Sequence, residues 1–135
     1  MTNNKQQTAV GFVPYELALE LKQFGFDEPC LASIDQTDFI HIKGTEYPIR
    51  GAMIYYAIDC PTYSQAFRFF REKYNIDVSI NTVYSKYNEN TSKKYGGVTD
   101  NESVFTNVGF HNTYEEAELA CLKKLIEITY GGGEQ

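Results

Sequence analysis

The chain has 135 residues, 18 Asp and Glu against 12 Lys and Arg, a formal charge of −6 and 42% hydrophobic residues. That hydrophobic share excludes compositional disorder, and the length suits one domain able to bury a core without metal or disulfide staples. Net acidity argues against sequence-independent nucleic-acid binding, which needs Lys and Arg to neutralise phosphates, and no apolar run approaches a membrane span.

Met1 to Ala9 are polar and expected to fray; they lack the apolar core of a signal peptide. Helix one is expected to begin near Pro14, whose ring suits a helix start. Leu17, Ala18, Leu21 and Phe24 then share one face. Gly25 and Phe26 fit the C′ and C″ positions of a Schellman stop, with Phe26 returning to Leu21. In "CLASIDQTDFIHIK" two apolar runs flank Asp35-Gln36-Thr37-Asp38, the pattern of a hairpin. "GTEYPIRG" has the breakers of a loop, and "AMIYYAID" the length of a buried strand.

Helix two is expected from Thr62, with Tyr63, Ala66, Phe67, Phe70 and Tyr74 on one face and Asn75 as its stop. In "IDVSINTVY", Ile76, Val78, Ile80, Thr82 and Tyr84 alternate with Asp77, Ser79, Asn81 and Ser85, as in a strand with one wet face. "NENTSKKYGGVTDNE" has the polarity and paired glycines of a long hairpin loop. "SVFTNVGFH" follows as the partner strand, with Val104, Thr106, Val108 and Phe110 on one side. Helix three runs from Thr113 to about Thr129, and "GGGEQ" is expected to be a flexible tail.

Both later helices open on Thr-Tyr-x-x-Ala. Thr62-Tyr63-Ser64-Gln65 and Thr113-Tyr114-Glu115-Glu116 each fit the capping box, in which the Thr hydroxyl accepts a free first-turn N–H and the Gln or Glu reaches back. The recurrence is a helix-start device. It hints at two αββ-like units plus a final helix. The elements together, with the one-sided strand at Ile76–Tyr84, predict a single α+β domain, ordered α-β-β-(β)-α-β-β-α, with one antiparallel sheet and three helices packed mainly on one face.

Signals of chemistry are weak. Glu115, Glu116 and Glu118 in the opening turns of helix three complement its dipole. Cys30, Cys60 and Cys121 have neither CxxC nor Cys/His spacing, so no zinc site or disulfide framework is expected, and free thiols fit a cytoplasmic location. No cofactor is expected. Cys60, before Pro61 at a helix start, is the better placed of the thiols for a lowered pKa. His41 and His111 are the two histidines available for acid–base work. A small enzyme using Cys60 or His111 is one alternative. Another is a nucleotide or nucleic-acid binder using a Lys93-Lys94-Tyr95 loop with Ser79, Asn81 and Ser85 on the polar sheet face.

Apolar residues away from the main helical stripes point elsewhere. Leu119, Leu122 and Ile126 form a second stripe on helix three, and Phe69 lies off the stripe of helix two beside Arg68. Either these faces are covered twice or they meet a partner.

The segments "VPYELALELKQFGFDEPC", "PTYSQAFRFFREKYNI" and "TYEEAELACLKKLIEI" resemble a family of small proteins encoded by Bacteroidetes genomes and their phages and prophages. The resemblance spans Val13 to Ile128. It implies a phage or mobile-element setting, where small acidic proteins often act by binding a host or phage protein. It implies no activity and carries no functional residues. The expectation is therefore a non-catalytic cytoplasmic protein-binding module, with a host or phage partner or a homodimer, no membrane, and a surface at Arg68, Phe69, Leu119, Leu122 and Ile126.

Overall fold

The computed structural model describes residues 11–43, 57–102 and 105–133. Among these described residues, three helices and six strands follow the order α1 (Tyr15–Gln23), β1 (Ala32–Ile34), β2 (Ile40–Ile42), β3 (Ile58–Cys60), α2 (Tyr63–Tyr74), β4 (Asp77–Tyr87), β5 (Asn90–Asp100), β6 (Phe105–His111), α3 (Tyr114–Gly133). The class is α+β, as expected. The strands form two antiparallel three-stranded sheets rather than one, ordered β2-β1-β3 and β4-β5-β6. The chain divides accordingly into two compact units, Met1–Ala66 and Phe67–Gln135. The expected loop Gly44–Gly51, most of the "AMIYYAID" run and Val104 lie outside the described residues.

In the first unit α1 closes on a Schellman motif. Gly25, at φ 96°, donates its N–H to Lys22 O, and Phe26 donates to Leu21 O, both at 3.0 Å; Phe26 and Leu21 are buried. At the other end Pro14 precedes the first helical residue and supplies no side-chain cap. The missing acceptor comes from the β1–β2 turn, where Asp38 Oδ1 accepts the Tyr15 N–H at 2.9 Å. Asp38 reaches that position at φ 65°, a left-handed conformation that Asp tolerates. Buried Asp35 holds the same turn: its Oδ1 accepts from Thr37 N, Thr37 Oγ1 and Phe39 N at 2.8, 2.6 and 3.3 Å. β1 then pairs with β2 from Ala32↔Ile42 and with β3 from Ala32↔Cys60, burying Ala32, Ile34 and Cys60, and α1 packs on β3.

The two Thr starts behave differently. At α3 the box is complete: Glu116 N donates to Thr113 Oγ1 at 3.1 Å, and Glu116 Oε1 accepts from Thr113 N and Asn112 N at 3.3 and 3.1 Å. At α2 only half forms. Gln65 N donates to Thr62 Oγ1 at 3.1 Å, but the Gln65 amide donates to Pro29 O at 2.8 Å instead of reaching back. A nearby carbonyl out-competes the helix's own N–H for the side chain. Asn75 stops α2 as expected, at φ 60° with its N–H on Arg71 O.

The second unit departs most from expectation. "NENTSKKYGGVTDNE" is not a loop. A two-residue turn at Asn88-Glu89, with Asn88 at φ 58°, starts β5, which pairs with β4 from Tyr87↔Asn90 to Asp77↔Asp100. Positive φ at the first corner is what a two-residue hairpin turn requires. β6 therefore pairs with β5, not β4. The paired glycines are strand residues with a packing purpose. A Cβ at Gly97 would lie 2.6 Å from Cys121 Sγ and 2.8 Å from Val108 Cγ2, so the bare backbone lets α3 settle on the sheet. Ala117, Cys121 and Leu125 are buried there, and α3 packs on all three strands. The helix runs on to Gly133, past the expected end at Thr129.

Candidate functional site: the open face of the second sheet

Register assigns each side chain of the second sheet to one of two faces, because successive residues alternate. Val78, Ile80, Gly97, Thr99 and Thr106 share the side covered by α3. The opposite side carries Asp77, Ser79, Asn81, Val83 and Ser85 of β4 with Lys94, Gly96, Val98 and Asp100 of β5. On β6, Gly96 pairs with Phe110 and Val98 with Asn107, so Val108 and Gly109 together oppose Gly97 in a bulge. Gly109 takes φ 93° there, and its N–H donates to Asn107 Oδ1 at 2.7 Å.

This bulge overturns the expected side of Phe110. One extra residue reverses the alternation. Val108 stays against α3, while Phe110 turns to the open face and His111 to the helix side. The Phe110 ring lies over Gly96, with ring carbons 2.9 and 3.0 Å from where a Cβ would stand, and Val83 flanks the same glycine. Phe110 is still 61% exposed, and Phe105, on the same face beside Asp100, is 70% exposed. Lys94 closes this face at the α3 end, its Nζ 2.5 Å from Asn112 Oδ1. The result is a sheet face with two exposed aromatics, two valines, short polar side chains, two exposed aspartates and one lysine.

The residues singled out in the sequence stand elsewhere. Lys93, Lys94 and Tyr95 are in β5, so neighbours point to opposite faces. Lys93 lies on the helix side, its Nζ 5.6 Å from the Tyr95 ring centroid, and Tyr95 meets Tyr114 edge-on at 5.9 Å. Only Lys94 shares a face with Ser79, Asn81 and Ser85. A loop that converges two lysines and a tyrosine on one ligand does not exist. The second stripe of α3 is core rather than surface: Leu122 is 0% and Ile126 8% exposed, and Leu119 is half-buried. Phe69 is 7% exposed, edge-on to Phe70 at 5.4 Å and with Lys73 Nζ 5.4 Å from its ring. Arg68 alone of the five is exposed.

The thiols do not meet the requirements of a nucleophile. Cys60 is fully buried, with Sγ 3.2 Å from Val13 O. Burial, with Cys30 nearby, pushes its pKa up to about 12, opposite to the lowering expected from a helix start. Burial lifts Cys30 and Cys121 to about 11. His111 is half-buried, and its Nε2 lies 3.1 Å from Val108 O across the bulge, a contact that serves the strand. Glu118 is raised to about 6, by burial first and then by Glu115. Among the described residues, no group of three or more His, Cys, Asp or Glu could hold a metal ion, and no helix is long and apolar enough to cross a membrane.

The aromatic surface was hidden from the sequence by the wrong phase. The signal that reveals it is Gly109 inside an alternating run, which marks a bulge. Comparison with protein-family models, curated proteins and solved structures finds no match.

Proposed function

We propose that this chain is a non-catalytic binding module that contacts another protein through the open face of its second sheet. The observation that carries this reading is the pair of exposed phenylalanines, Phe105 and Phe110, set on β6 among valines and short polar residues. Aromatic anchors ringed by polar groups are the usual centre of a protein interface. Neither Cys60, buried with a raised pKa, nor His111, held against Val108 O in the bulge, is placed as a nucleophile or base would be. The resemblance described above would place the partner among host or phage proteins.

The test is the double variant Phe105→Ser with Phe110→Ser, compared with the parent as bait for binding partners. Both side chains are largely exposed, so the fold should survive, as circular dichroism would verify. Loss of each anchor should weaken the complex by about 30-fold or more, the effect of a hot-spot side chain worth about 2 kcal/mol. A partner held equally by parent and variant would move the interface elsewhere.

A further inference from the structure

The β4–β5 hairpin outruns its third strand. β6 pairs with β5 only between Tyr95 and Asp100, whereas β4 and β5 stay paired out to Tyr87↔Asn90. The pairs from Val83↔Lys94 to Tyr87↔Asn90 make a two-stranded arm about 17 Å long at the rise of an antiparallel strand. A two-stranded ribbon standing alone is marginally stable in water. α3 covers its own side of the sheet as far as the Tyr95–Tyr114 contact. Beyond that, Tyr84, Lys86 and Lys93 lie exposed on the helix side of the arm, Tyr84 at 67%.

This bare face is basic and aromatic within an acidic chain. At its base, on the same side of the sheet, α3 opens with exposed Glu115 and Glu116. Patches of opposite charge lying side by side on one side of one sheet are complementary to each other about a two-fold axis. Turning one copy over sets each arm against the other's helix start. Such an isologous contact is the commonest route to a closed homo-oligomer. We propose that the occupant of the arm is a second copy of this chain, with Lys86 and Lys93 of each copy facing Glu115 of the other and Tyr84 packed between them. The contact lies across the sheet from Phe105 and Phe110, so it is independent of the binding face proposed above.

Sedimentation velocity of the purified protein, run from low micromolar to near-millimolar concentration, tests it. The parent should show a reversible monomer–dimer equilibrium that weakens at high salt, because exposed charges carry part of it. Lys86→Glu with Lys93→Glu should weaken dimerisation by at least about tenfold, since like charges then meet across the interface. Adding Glu115→Lys to that variant should recover most of the loss. Glu116 is left untouched because it caps α3. Phe105→Ser with Phe110→Ser should leave the dimer unchanged, which separates failure of this contact from failure of the partner-binding face. A parent that stays monomeric throughout would overturn the proposal. So would a dimer indifferent to the lysine changes, a charge swap that rescues nothing, or a monomer whose lysines instead bind a labelled oligonucleotide.

Discussion

Gly97→Ala is the sharpest perturbation the structure offers. The new Cβ would stand 2.6 Å from Cys121 Sγ, 2.8 Å from Val108 Cγ2 and 3.7 Å from Ala117 O. Ordinary contact distances are close to 3.5–4.0 Å, so α3 must lift from the sheet by about 1 Å or Cys121 and Val108 must leave their positions. Overpacking of this kind costs about 1–3 kcal/mol. Restricting the unfolded chain returns about 0.4–1 kcal/mol, leaving a net loss near 1–2 kcal/mol. Gly96→Ala is the internal control. Its nearest neighbours would be the rim of the Phe110 ring and, at 3.8 Å, Val83, and an exposed ring can swing aside. Urea unfolding followed by far-ultraviolet circular dichroism should show a clear drop in midpoint for Gly97→Ala and little change for Gly96→Ala. Cys121→Ala should partly rescue Gly97→Ala in a double-mutant cycle. A Gly97→Ala protein as stable as the parent, or strictly additive with Cys121→Ala, would refute the close approach of α3.

Four further outcomes follow. Asp38→Gly keeps the left-handed turn but removes the acceptor at the start of α1, and should cost about 1 kcal/mol in urea unfolding, whereas Asp38→Asn should cost much less. Leu122→Ala should cost about 2–5 kcal/mol, as for any fully buried leucine; a neutral result would return the second stripe of α3 to the surface. Cys60 should resist iodoacetamide at neutral pH in the folded protein and react freely once unfolded. The thiols are held protonated in the fold above the 9.0 at which they ordinarily ionise, up to about 11 or 12. Their contribution to stability is therefore complete below pH 9 and lost as pH rises toward those values. Urea midpoints measured on either side of pH 9 should fall less for Cys121→Ala than for the parent.

The parts legible in the sequence were those governed by local chemistry. Gly25-Phe26 announces the end of α1, Asn75 that of α2, and Thr113 with Glu116 the start of α3, because each depends on residues a few positions apart. Alternation in "IDVSINTVY" gave the correct wet face of β4. What failed depended on contacts distant in sequence. Gly96-Gly97 has the composition of a loop, yet its glycines serve a ring on one face and a helix on the other, which only the paired strands bring together. The stripe at Leu122 and Ile126 looked surplus because one helix cannot reveal that two of its sides are covered. A single bulge residue sets Phe110 on the face opposite to the one its alternation predicts. The cap on α1 comes from Asp38, 23 positions away, beyond any local pattern.

If the open face of the second sheet is where this protein meets its partner, a crosslinker set there should capture that partner. A photo-crosslinking amino acid placed in turn at Phe105, Phe110 and, as control, exposed Glu127 on α3 tests it directly in cells that produce the protein naturally. One discrete adduct is expected, the same from positions 105 and 110 and absent from 127. No adduct at 105 or 110 alongside a clear one at 127, or equal yields from all three, would contradict it.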